Sequence, residues 1–188
     1  MDDFRTRVRA ELTARLAPRR HDAPVSVLGA GSDDLDAGRR YLGALAGTGL
    51  AIPTWPKEYG GLAASTEEVA IIRSELGAFD VPDLYPYLVG VDLVAPTLLA
   101  HGTPEQCARW LPAISTGEAI WCQLFSEPGA GSDLAGLAAR AVRDGDEWTV
   151  TGQKVWTSRG AYSRYGLLLA RHDAAVPKHR GITAFALG

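Results

Sequence analysis

Gln123-Leu124-Phe125-Ser126-Glu127-Pro128-Gly129-Ala130-Gly131-Ser132-Asp133-Leu134 is the stretch on which the fold turns. A β-like run, Ala119 to Phe125, leads here into a loop with two glycines and two hydroxyls. Such a loop can bring backbone N–H groups close to a polar ring or a phosphate. It is not a dinucleotide-binding fingerprint, because Leu134 stands where a third glycine is needed and no helix-strand unit follows. The short motif alone says little. Gly29-Ala30-Gly31-Ser32-Asp33 repeats the same five letters after Val27-Leu28 and before a helical pattern, and reads as linker and N-cap. Any specificity at 126–133 must therefore come from the neighbours of these five letters, above all Ser126-Glu127-Pro128.

Upstream of this stretch the apolar period is helical. Phe4, Val8, Leu12 and Leu16 recur every four residues and predict a first amphipathic helix. The arginines of that segment could suggest a transit peptide, but Asp2, Asp3 and Glu11 are interspersed, and transit peptides are poor in acids. Ser32 is placed to cap a helix carrying Leu35, Leu42, Leu45 and Ala46, with Gly47 and Gly49 ending it. Ser65 and Glu68 have capping-box spacing ahead of Val69, Ile72, Leu76 and Phe79. A further helix is predicted over Val91 to Ala100, stopped by Gly102. Thr103, Pro104 and Gln106 then start one that carries Cys107, Trp110, Leu111 and Ile114.

Downstream the period shifts to two. Ala139 and Ala141 alternate with polar neighbours on one side of Asp144-Gly145, Trp148 and Val150 on the other, which is a hairpin signal. Tyr165 to Ala170 and Ile182 to Leu187 read as further strands. The expectation is an α+β chain. An all-helical bundle over residues 1–117 precedes an incomplete antiparallel barrel or sandwich over 118–188, whose last strand ends at the chain end and leaves an open edge.

Composition narrows the function. The chain has 188 residues, 46% hydrophobic and 22% charged, which fits a globular protein and excludes wholesale disorder. No run of about 18 apolar residues occurs, so no membrane span is expected. A net charge of −3 argues against a general nucleic-acid binder. Cys107 and Cys122 form no CxxC, which disfavours zinc and disulfide scaffolds and suggests a cytoplasmic setting. His21, His101, His172 and His179 lack metal-ligand spacing.

Two more segments stand out. Thr54-Trp55-Pro56-Lys57-Glu58-Tyr59-Gly60-Gly61 reads first as a rigid connector between helices. Thr151-Gly152-Gln153-Lys154-Val155-Trp156-Thr157-Ser158-Arg159-Gly160 is not a Walker A sequence. A strand ending in Trp156 and then Ser158 would suit a flat ring, the indole packing on it and the hydroxyl donating to a ring nitrogen. Equally, a strand tryptophan can be simple core. Lys178, His179 and Arg180 form a short basic patch that reads as a solvated loop, although coenzyme A phosphates could use it.

Taken in order, W-P-K-E-Y-G-G, S-E-P-G-A-G-S-D-L-A and G-Q-K-V-W-T-S resemble the acyl-CoA dehydrogenase family of flavoenzymes, from about residue 30 to 187. The resemblance implies an FAD cofactor with its flavin against the two β motifs. Gln123, Leu124, Phe125, Ser126, Glu127, Pro128, Gly129, Ala130, Gly131 and Ser132 would wrap the flavin edge, and Trp156, Thr157 and Ser158 would form the second wall. Many members carry Thr where Ser158 stands. Ser132 matches the family position that also touches the acyl-CoA substrate. The implied reaction is α,β-dehydrogenation of an acyl-CoA thioester, with electrons passing to an electron-transfer flavoprotein. W-P-K-E-Y-G-G is also similar to actinobacterial members acting on bulky acyl-CoAs, sterol side chains included.

The resemblance covers the front half of a typical member. Its C-terminal helical domain, source of the catalytic base and of most of the oligomer interface, has no counterpart in residues 1–188. The catalytic residue is therefore unassigned, and the expectation is a truncated product that is inactive alone. The alternative is a non-catalytic subunit, the half-site partner in a heteromeric enzyme.

Overall fold

The computed structural model describes residues 2–20 and 33–188, in two compact units, Met1–Ala119 and Ile120–Gly188. Ser32, the expected cap, lies outside the described residues, as do His21 and Gly29-Ala30-Gly31. The described cap of the second helix is Asp34, whose carboxylate accepts from the Ala37 amide at 2.8 Å.

In the first unit, α1 (Asp2–Arg15) buries Val8 and Leu12 and packs on α3 (Thr66–Leu76). Arg5 and Arg9 of α1 converge on Glu75 of α3, at 2.5 Å and 2.7 Å. The Ser65–Glu68 capping box forms, each residue bonding the other's amide. α2 (Leu35–Leu45) buries Tyr41, Leu42 and Leu45. The Tyr87 ring lies over Gly38, where a Cβ would collide with it, and its hydroxyl donates to the Leu35 carbonyl at 2.6 Å. The W-P-K-E-Y-G-G segment lies between α2 and α3. Trp55 is buried, and Gly60 takes φ 86° at the end of a short 3-10 turn.

The helix predicted over Val91–Ala100 differs in detail. A π-helical stretch, Val89–Val94, runs into α4 (Ala95–His101), and the Gly102 amide closes it on the Leu98 carbonyl at 2.7 Å. Pro96 sits in the first turn of α4, where its missing N–H costs nothing. The Thr103–Gln106 capping box then opens α5 (Pro104–Ser115). Leu12, Leu42, Leu45, Ile72, Leu111 and Ile114 are all nearly inaccessible to water. Each such burial contributes about 1.5–3 kcal/mol.

The second unit is a sheet of β1 (Trp121–Leu124), β2 (Arg140–Asp144), β3 (Glu147–Thr151), β4 (Tyr165–Arg171) and β5 (Ile182–Leu187). The β2–β3 hairpin turns at Gly145, φ 60°, and pairs Ala141 with Val150. β4 lies between β5, antiparallel, and β1, parallel, with Leu124 opposite Leu168 and Leu168 opposite Phe185. The sheet is therefore mixed and open, where turn signals predict antiparallel pairing alone. Hairpins announce themselves in local sequence; β1 and β4 are joined by a long crossing excursion that leaves no such mark. Ala139, Ala141, Leu168 and Ala170 form one buried cluster, with Leu124, Val150 and Phe185 packed against it.

Candidate functional site

β1 ends at Leu124 and delivers the chain to Ser126. Glu127 and Ala130 then pair across Pro128-Gly129, with amide-to-carbonyl distances of 2.8 and 3.1 Å. Pro128, Gly129, Gly131 and Ser132 are exposed, and Ser126 and Phe125 are half-buried. Gly129 and Gly131 have no positive φ, and a Cβ on either would meet open space. The chain's own packing therefore does not demand glycine at either position.

The third motif is not a strand, as its sequence predicts, but an extended segment. β3 ends at Thr151, and Gly152 passes so close to Ala139 that no side chain fits between them. The segment leaves its hairpin partner and docks on the loop after β1, where the Val155 amide donates to the Ser126 carbonyl at 2.9 Å. Trp156 then adopts φ 58° and Arg159 φ 64°, left-handed conformations that cost non-glycine residues about 1–3 kcal/mol each. The Trp156 side chain is 89% exposed, so it is not core. Ser158 beside it is exposed and Thr157 half-buried.

Not every predicted residue faces outward. Leu124 packs against the sheet core and Ala130 is buried. The Glu127 side chain turns inward. Its carboxylate accepts from the Ala138 amide at 2.6 Å, the Ala139 amide at 2.9 Å and the Lys154 ammonium at 2.8 Å. Burial pushes this carboxyl up, but the lysine and the two amides outweigh it and hold Glu127 below the usual carboxylate range. Lys154 also donates to the Phe125 carbonyl at 3.0 Å. Sequence reading gave Lys154 no role of its own; its signal was its place between the hairpin's second strand and Trp156, two residues ahead of the tryptophan. Lys178 of the basic patch bonds both carboxylate oxygens of Asp133, at 2.8 and 2.7 Å, and so joins the β4–β5 loop to the glycine loop.

These features define a class: a helical unit followed by a mixed sheet, with a glycine- and serine-bearing loop, an exposed indole and a buried ion pair between the two β motifs. The family follows from comparison with known proteins. Residues 2–118 match the acyl-CoA dehydrogenase N-terminal domain and residues 122–188 the acyl-CoA dehydrogenase middle domain, and the chain belongs to the acyl-CoA dehydrogenase family. It is 55% identical over 144 residues to acyl-CoA dehydrogenase FadE34 of Mycobacterium tuberculosis, covering 76% of this chain and 20% of that one. It is 39% identical over 186 residues to acyl-CoA dehydrogenase IpdE1 of the same organism, covering 97% and 48%. The ChsE4–ChsE5 complex from Mycobacterium tuberculosis superimposes with a TM-score of 0.69 at 36% identity, covering 98% of this chain and 45% of that one. The chain thus spans between a fifth and about half of these relatives' lengths. No helix among the described residues is long and apolar enough to cross a membrane.

Proposed function

We propose that this chain carries the flavin-facing wall of an FAD-dependent acyl-CoA dehydrogenase, built by Gln123–Ser132 and Trp156–Ser158. The observation that carries the reading is Trp156, a large apolar ring held 89% exposed on a left-handed backbone, next to the Val155 amide that bonds the Ser126 carbonyl. The donor set fits the group: an indole face for a flat ring, hydroxyls on Ser126 and Ser158, and a loop free of side chains at Gly129 and Gly131. FAD, when bound, supplies the redox chemistry by accepting hydride from the β carbon of the acyl thioester. The chain's own part is to orient: Trp156 covers one ring face, Ser126 and Ser158 direct hydrogen bonds to its polar edge, and Ser132 meets the acyl-CoA. Glu127 and Ala130 serve from inside, shaping the loop rather than touching the ligand.

The catalytic base is assigned to no residue of these 188. An electron-transfer flavoprotein is the proposed electron acceptor, an oligomer the proposed assembly and the cytoplasm the proposed setting. A bulky acyl-CoA, sterol side chains included, is the proposed substrate class. A second reading, a subunit lending half a site to another chain, is favoured by the solved relative described as a ChsE4–ChsE5 complex. The visible spectrum of the chain, desalted after incubation with FAD, tests the first reading. Retained flavin absorption is expected, reduced in Ser126→Ala; a colourless protein contradicts it. Size exclusion tests the second, which requires a stoichiometric complex with another chain.

A further inference from the structure

One buried ion pair in the sheet unit draws both of its partners from the two β motifs. The side chains of Lys154 and Glu127 are only 8% and 7% exposed. From the segment after β3, the Lys154 ammonium crosses to Phe125 and Glu127, the residues on either side of Ser126. The Val155 amide then bonds to Ser126 itself. Glu127 in turn gathers the amides of Ala138 and Ala139, just ahead of β2. Three separate segments therefore meet at one carboxylate. A buried ion pair of this kind is a weak source of stability compared with apolar side chains of the same volume. What distinguishes it is direction: two charges with fixed acceptors admit one arrangement of the segments that carry them. The left-handed turn at Trp156 comes two residues after Lys154, and the indole it carries is 89% exposed.

We propose that Lys154 is a positioning residue for the flavin-facing surface: its ammonium clamps the Ser126 and Trp156 segments together and so fixes the turn that aims the indole outward. The clamp rests on the flavin reading for its purpose, but not for its existence, and the test separates the two. In the whole 188-residue chain, Lys154→Met, Trp156→Ala and the double variant are compared by amide hydrogen exchange without ligand and by FAD titration. In Lys154→Met the Val155 amide is expected to exchange at least tenfold faster, with α5 amides unchanged. FAD is expected to bind at least tenfold more weakly. Because Lys154 acts through Trp156, the double variant should lose no more than the worse single variant. Wild-type exchange at Val155 in Lys154→Met, or fully additive losses in the double, overturns the clamp. Should Lys154→Met not fold, Lys154→Gln carries the same test: tenfold weaker FAD binding supports the clamp, wild-type affinity overturns it. A wild-type chain that takes up no FAD overturns the flavin reading, and the exchange of Val155 alone then decides the clamp.

Discussion

Two buried carboxylates, one in each unit, are both held as anions by basic partners, yet they do different work. Glu75, 3% exposed, receives Arg5 and Arg9 from the neighbouring helix, and those side chains are themselves 43% and 65% exposed. Glu127, 8% exposed, receives Lys154, which is nearly as buried as itself, and two backbone amides. The first arrangement lays a salt bridge over a helix packing seam, with its cations open to water and to screening. The second has no solvent-facing member and joins the loop after β1, the residues ahead of β2 and the irregular segment after β3. Where local structure already fixes the backbone, a half-exposed pair suffices. Where the backbone is irregular and carries the candidate site, the pair is fully enclosed.

Removing one partner from each pair breaks the comparison most sharply. Lys154→Met strands the Glu127 carboxylate in the interior and is expected to cost about 3–5 kcal/mol in urea unfolding. Glu75→Met is expected to cost under about 1 kcal/mol, since Arg5 and Arg9 turn to water and an apolar side chain fills the seam. Equal losses would mean that the two pairs do the same work. High salt extends the contrast. Raising NaCl to about 1 M should weaken the Arg5–Arg9–Glu75 contribution and leave that of Lys154–Glu127 nearly intact, as a salt-dependent double-mutant cycle would report.

Acid treats the two alike. The Arg9 hydrogen bond, with Arg5 adding to it and burial opposing, holds the Glu75 carboxyl low. At Glu127 burial is the larger single influence but is outweighed by Lys154 and the Ala138 and Ala139 amides. A carboxyl lowered by folding stabilises the native state above its unfolded pKa of about 4.3, and that stability is lost as pH falls through the folded value. Stability is therefore expected to be flat with respect to these groups above about pH 5 and to fall below about pH 4, with a shallower fall in Glu75→Met. The smallest stability effect belongs to Trp156→Ala. An exposed side chain leaves folding within about 0.5 kcal/mol of wild type, while FAD binding is expected to weaken at least tenfold.

The helical unit was largely legible because its signals are local. Ser65–Glu68 and Thr103–Gln106 announce their helices within four residues, and both boxes form. Asp34 took the cap position foreseen for Ser32, a neighbour of similar chemistry. The π-helical turn at Val89–Val94 has no sequence mark of that kind, since one extra residue in a helix is a matter of packing. In the sheet unit the Asp144-Gly145 hairpin was readable, but the parallel β1–β4 pairing depends on partners 44 residues apart in sequence, as Trp121 and Tyr165 are. The site shows the same division. The glycines, serines and Trp156 were singled out from sequence, whereas the inward turn of Glu127 and its meeting with Lys154 are tertiary facts. So is the exposure of Trp156, which sequence left open between core and ligand platform.

The most direct measurement is a titration of the wild-type chain and Trp156→Ala with FAD, followed by flavin fluorescence. Wild type is expected to bind saturably, and a Trp156→Ala protein of unchanged urea midpoint at least tenfold more weakly. Equal affinity in the two, or no binding by either, would contradict this expectation.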